Sequence, residues 1–155
     1  MSIDERFEEL YAEEFGAVFR AAYLLCGDRS VAEDATQEAF ARALERWRRL
    51  RDRSWAGGWV MVTALNVTRR AMRRGRPDPG PEARAPADID RSVDLWRAVR
   101  ALPPRQQEAV ALRYVADLPV AGVAAAMRCS EGAVKSHLAR ARRALREQLE
   151  DVRDE

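Results

Sequence analysis

The stretch that decides the fold is "CSEGAVKSHLARARRALRE", residues 129–147. At about 100° of rotation per residue, Val134, Leu138, Ala141 and Leu145 share one narrow sector of a helix, which makes that sector a core-facing seam. Gly132, Ser136, Ala139, Arg140 and Arg143 lie opposite it, flanked by Lys135 and His137. The outward face therefore begins with small side chains and continues with cations. Glu131 is the only acid between Arg128 and Arg146, so ion pairing along the helix does not account for the basic residues. Ser130 is suited to cap the helix start. Upstream, Pro119 opens a short apolar helix, "VAGVAAAM", and Met127-Arg128-Cys129 turns the chain. A short helix, a tight turn and a longer basic helix make a helix-turn-helix, whose second helix reads base edges with its N-terminal part. The alternative is a solvated cationic face on an ordinary helical hairpin. The excess of unopposed charge favours DNA.

Helical periods continue toward the N-terminus. Residues 94–102 form a short helix. Pro103 and Pro104 end it and start the next, which carries Ala109, Val110, Leu112, Arg113 and Tyr114 to about Ala116. Residues 75–90, "GRPDPGPEARAPADID", hold four of the seven prolines and show no helical or strand period, so they read as a linker. Before it, Phe7, Leu10, Tyr11, Phe15, Val18, Phe19, Ala22 and Leu25 recur at steps of three and four, and Gly27-Asp28 stops that helix. "SVAE", residues 30–33, has the spacing of a capping box. The helix after it is expected to run to about Arg48, with Ala32, Ala35, Phe40, Ala43, Leu44 and Trp47 inside and Asp34, Gln37, Glu38, Arg42 and Glu45 outside. A third helix is expected from near Gly58 to about Arg74, with Trp59, Val62, Leu65 and Met72 inside. The fold class is all-α: two small helical domains, residues 1–74 and 91–155, joined by a flexible linker at 75–90, the second containing the helix-turn-helix.

The N-terminal block has a basic half of its own. From Arg46 to Arg74 there are nine arginines and one acid, Asp52, with Trp47, Trp55 and Trp59 interleaved. Arginines neutralise phosphates, and an exposed aromatic stacks on unpaired bases. Trp47 and Trp59 fall on apolar faces and read as core, which leaves Trp55 as the stacking candidate. Arg69, Arg70, Arg73 and Arg74 cluster at a helix C-terminus. The helix dipole explains one or two cations there, and four suggest a polyanion. Two basic modules on one tether bind more tightly together than either does alone.

Other classes are less well served. The chain has 155 residues and a net charge of +2. It has no apolar run of about 18 residues, as a membrane span needs, and its acidic start, "MSIDERFEEL", is not a secretory signal. Cys26 and Cys129 lie far apart and outside any metal-binding spacing, which reads as two reduced thiols in a cytoplasmic protein. One histidine, no nucleophile pattern and no phosphate-binding glycine loop argue against an enzyme, a metal site or a cofactor.

Three blocks of the chain, residues 22–50 ("AYLLCGDRSVAEDATQEAFARALERWRRL"), 57–74 ("GGWVMVTALNVTRRAMRR") and 102–147 ("LPPRQQEAVALRYVADLPVAGVAAAMRCSEGAVKSHLARARRALRE"), resemble in order and spacing an extracytoplasmic-function (ECF) RNA polymerase sigma factor of the sigma-70 family. The likeness is to the small type with regions 2 and 4 only. It implies that Asp34, Gln37, Glu38 and Arg42 grip the β′ clamp helices of core RNA polymerase, and that the second domain meets the β flap. It implies that Arg53, Trp55, Asn66, Arg69, Arg70, Arg73 and Arg74 hold the unwound −10 promoter element. Lys135, Ser136, His137, Ala139, Arg140 and Arg143 match positions that read the −35 element. An anti-sigma factor is a further partner that the resemblance implies. The chain departs from the family pattern at Arg128, where the turn often has glycine, and at His137, where arginine is common. The alternative is a helix-turn-helix regulator that binds duplex DNA without polymerase, whose sensor domain would not need the basic Arg46–Arg74 segment; a nucleic-acid-modifying enzyme with a helix-turn-helix module fails for want of a catalytic constellation.

Overall fold

Asp4 and Gly27 bracket the first helix, α1 (Glu5–Cys26). The Asp4 carboxylate accepts from the Arg6 N–H at 2.9 Å and from Trp47 Nε1 at 3.0 Å. The first of these bonds, then the second, holds its pKa below the ordinary value. Gly27 ends the helix at φ +68°, a left-handed conformation that glycine adopts without strain, and its N–H donates to the Tyr23 carbonyl at 2.7 Å. The computed structural model describes residues 4–74 and 93–153, so the expected linker at 75–90 lies outside the described residues.

The second helix, α2 (Arg29–Glu45), starts earlier than the Ser30 capping box places it. Asp28 is the cap. It follows the left-handed Gly27, and its carboxylate accepts from the Val31 N–H at 3.1 Å. Ser30 is therefore inside the first turn. The helix also stops short of Arg48. Trp47–Leu50 forms a separate turn, α3, with Trp47 and Leu50 buried. Leu44, expected inside, is 42% exposed.

The fourth helix, α4 (Ala56–Arg73), buries Val60, Met61, Ala64, Leu65 and Thr68. Trp59, Val62 and Met72, expected inside, are only partly covered. The helix is rotated from the expected face because its two glycines admit close neighbours. A Cβ on Gly57 would stand 2.9 Å from Glu14 Cδ, and one on Gly58 would stand 2.7 Å from Ala126 Cβ. Buried hydroxyls are satisfied locally: Thr36 donates to the Ala32 carbonyl and Thr68 to the Ala64 carbonyl, each at 2.7 Å. Helices α1, α2 and α4 close over an aromatic cluster in which Phe7, Tyr11 and Phe15 surround Phe40.

The C-terminal half holds α5 (Val93–Arg100), α6 (Pro104–Val110), a π-helical turn (Ala111–Val115), α7 (Val120–Met127) and α8 (Glu131–Arg153). The buried Gln107 side chain donates back to the carbonyls of Val99 and Arg100, at 3.1 and 3.0 Å, and so satisfies the end of α5 across the proline pair. The helix expected to run to Ala116 widens in its last turn, where the Ala116 N–H reaches the Ala111 carbonyl at 3.0 Å. Ser130 caps α8 as expected, its hydroxyl accepting from the Ala133 N–H at 3.0 Å. Val134, Leu138 and Ala141 are buried along the expected seam.

The two halves are packed against each other. One hydrophobic cluster runs from Phe7 and Phe40 through Met61 and Leu112 to Val134 and Ala141. Gly58 seats α4 on α7, and Arg100 Nε donates to the Leu24 carbonyl at 3.1 Å. There is no strand among the described residues.

Candidate nucleic-acid interface

Helix α8 presents its cations as the wheel places them. Lys135, Ser136, Ala139, Arg140 and Arg143 are exposed and His137 is partly buried. No carboxylate within ion-pair distance faces Lys135, Arg140 or Arg143 among the described residues. Arg142, nearer the seam, donates to the Tyr114 hydroxyl at 3.2 Å. The exposed face thus keeps its donors for an external acceptor.

The basic part of the N-terminal half folds into a cleft of about 720 Å³. Arg53, Trp55, Asn66 and Arg70 line it together with Trp59, Thr63 and three further arginines, Arg42, Arg46 and Arg49. Arg53 lies over the Trp55 ring at 5.9 Å and Arg46 over the Trp59 ring at 5.7 Å. These cation–π contacts hold both the guanidinium and the indole at the cleft wall. Asp52, the one acid of the segment, is not in the lining, and a hydrogen bond from Arg6 holds its carboxyl below the ordinary pKa. Arg73 is exposed at the end of α4, and Arg74 lines a second, smaller groove between α2 and α4.

Arg69 is placed differently from its neighbours. Its guanidinium turns toward α6, where Nη2 meets Glu108 Oε1 at 2.7 Å and Nη1 donates to Gln107 Oε1 at 3.3 Å. It also donates to Asn66 Oδ1. Arg105 completes the cluster, with Nη1 on Glu108 Oε2 at 2.9 Å and Nη2 on the Met127 carbonyl at 2.7 Å. The Glu108 side chain is 5% exposed. A buried carboxylate is stable when cations and hydrogen bonds satisfy it, and here two guanidinium groups do so.

Along α2, Asp34, Gln37 and Glu38 are exposed and Arg42 is partly buried; Asp34 and Glu38 line the smaller groove toward α4, and Arg42 lines both that groove and the cleft. Glu38 pairs with Arg42 at 2.6 Å, one turn away, and Gln37 Nε2 donates to the Tyr11 hydroxyl at 3.1 Å. These bonds pre-order the polar face without covering it.

Sequence reasoning missed Arg46, Arg49, Arg105, Arg128 and Glu108. The first two stand in the basic run and were available to it. The other three come from the C-terminal half, and no local pattern says which face of α4 that half will cover.

The chain is similar to known proteins along nearly all of this architecture. The profile for sigma-70 region 2 matches residues 10–77, and that for sigma-70, region 4 matches residues 92–145. The chain is 34% identical over 163 residues to the ECF RNA polymerase sigma factor BldN of Streptomyces coelicolor, covering 95% of this chain and 61% of BldN. It is 33% identical over 153 residues to the RNA polymerase sigma-E factor of Streptomyces antibioticus, covering 93% of this chain and 84% of that protein. Among solved structures, the sigma factor RpoE of Bartonella quintana, in complex with the anti-sigma factor NepR, shares the fold at TM-score 0.70 and 21% identity, over 95% of this chain and 98% of that one. CnrH, in complex with the cytosolic domain of CnrY, shares it at TM-score 0.75 and 22% identity, over 96% and 90% of the two chains. The chain therefore belongs to the ECF RNA polymerase sigma factors of the sigma-70 family.

Proposed function

We propose that the chain binds core RNA polymerase and directs promoter-specific initiation, with no catalysis of its own. Residues 1–74 dock on the β′ clamp helices through Asp34, Gln37, Glu38 and Arg42, and capture the −10 strand with Trp55, Asn66 and the arginines around them. Residues 91–155 read the −35 duplex through α8 and meet the β flap, and residues 75–90 link the two. The observation that carries this reading is the pair of basic faces on separate halves. One is a helix face that begins with Ser136 and Ala139 and suits a major groove. The other is a cleft with indole rings that suits unpaired bases. Melting energy then comes from captured bases and phosphates rather than nucleotide hydrolysis. The work is cytoplasmic, and no helix among the described residues is long and apolar enough to cross a membrane. An anti-sigma factor is the expected inhibitor.

In vitro transcription with core polymerase on a promoter library, with RNA 5′ ends sequenced, tests the whole reading. Specific starts sharing two upstream boxes are expected. Duplex binding by the chain alone without initiation would establish the regulator instead.

Two variants refine the roles. Arg140→Ala should weaken −35 binding by about 1–3 kcal/mol and leave the melting temperature in place, because Arg140 is exposed and has no carboxylate partner among the described residues. A large drop in melting temperature would make Arg140 structural. Charge reversal at Asp34 and Glu38 should impair holoenzyme assembly and spare isolated −35 binding, because these side chains lie on exposed α2, away from α8. Unchanged assembly would remove that face from the polymerase contact.

A further inference from the structure

The cleft on α4 has a second wall, and it comes from the other half of the molecule. Arg105 and Arg128 complete the lining together with Arg46, Arg49 and Arg53 of the N-terminal half. Five guanidinium groups around it, those of Arg46, Arg49, Arg53, Arg70 and Arg128, have no carboxylate partner among the described residues. Two walls of one sign repel when they close on each other, and a multiply charged anion between them reverses that.

Arg128 adds an observation from the backbone. It sits at φ +55°, ψ 48°, the left-handed conformation that glycine adopts freely and arginine does not. The bonds that close this turn are main-chain ones: the Arg128 N–H reaches the Ala125 carbonyl at 3.3 Å, and the Cys129 N–H reaches the Ala124 carbonyl at 3.1 Å. Glycine would make both. The fold does not require the side chain, and the left-handed residue places a guanidinium in the cleft lining.

We propose that this cleft binds a compact polyphosphate, free or carried on a nucleoside, with guanidinium groups from both halves. Arginine forks match phosphate oxygens, and Asn66 adds a neutral polar side chain to the lining. The volume, about 720 Å³, lies within the roughly 300–1,000 Å³ of small-ligand sites. A bound polyphosphate bridges the halves and favours their packed arrangement. It also occupies Arg53, Trp55, Asn66 and Arg70, so it competes with any strand that uses them. The polyphosphate site itself does not depend on the role proposed above for these residues.

Calorimetric titration of the full chain with tripolyphosphate and with ATP, at fixed ionic strength and without magnesium, tests the site. Tripolyphosphate should bind at one site per chain, and orthophosphate at least about tenfold more weakly. Arg128→Gly should weaken tripolyphosphate binding by roughly tenfold while its melting temperature stays level or rises and its affinity for a single-stranded oligonucleotide is kept. Arg49→Ala, in the part of the lining from the N-terminal half, should weaken the polyphosphate likewise, and it decides the matter if Arg128→Gly folds poorly. Tighter binding of ATP than of tripolyphosphate assigns the site to a nucleotide with its base on Trp55 or Trp59. Equal binding assigns it to phosphate alone. No binding of either probe, equal binding by wild type and both variants, or a parallel loss of the oligonucleotide would overturn the proposal.

Discussion

Glu108→Ala is expected to destabilise the full chain by about 3 kcal/mol, the lower part of the roughly 3–5 kcal/mol seen when one partner of a buried ion pair is removed. The carboxylate is 5% exposed and Arg69 is 15% exposed, so neither is well screened by water. Without Glu108, Arg69 keeps its bonds to Asn66 and Gln107 among the described residues, both to neutral oxygens. Arg105 is 46% exposed and recovers hydration, which is why the low end applies. Urea unfolding of the variant checks the magnitude, and a change below about 0.5 kcal/mol would mean that the pair is solvated. A second readout follows from position. The pair joins α4 to α6, so its loss loosens the packing of the halves and frees Arg69 beside the cleft. The variant should therefore bind a single-stranded oligonucleotide more tightly while being less stable. Weaker binding would place Arg69 outside the nucleic-acid surface.

The elements that could be read from the sequence were those whose signals are local. The α8 seam needed only its own period, since Val134, Leu138 and Ala141 are covered by neighbouring helices of the same half. The Ser130 cap needed only four residues. The α2 cap misled because two candidates lay two positions apart, and the choice depended on Gly27 turning left-handed to aim Asp28. The α4 face misled for another reason. Residue type places Trp59 and Val62 inside, but Gly57 and Gly58 let Glu14 and Ala126 approach so closely that the glycine side became the buried one. The cationic character of the cleft was plain in the arginine count. Its second wall was not, because Arg105 and Arg128 reach it only through the packing of α7 on α4, which depends on a contact between residues 58 and 126.

Phe40→Ala is expected to cost about 3–5 kcal/mol, the usual penalty for emptying a buried aromatic site. Phe40 is 2% exposed, and its ring stands 4.8 Å from Tyr11, 6.0 Å from Phe15 and 6.4 Å from Phe7. Three helical turns of α1 close on that one ring, so the surrounding backbone has little freedom to collapse into the space. Leu44, one turn further along α2, supplies the control. Both residues carry the same apolar signal, yet Leu44 is 42% exposed, and Leu44→Ala should cost under about 1 kcal/mol. Thermal or urea unfolding of the two variants checks the contrast, and similar losses would mean that the α2 face is rotated from the one described. The same experiment bears on the polar face. Gln37 is held by the Tyr11 hydroxyl at 3.1 Å, and Tyr11 packs on Phe40. Emptying the Phe40 site therefore releases Tyr11 and, with it, the ordering of the surface that carries Asp34, Gln37 and Glu38. Phe40→Ala should impair the polymerase binding proposed for that face even below its own melting transition, whereas Leu44→Ala, which leaves that ring contact intact, should not impair it by the same route.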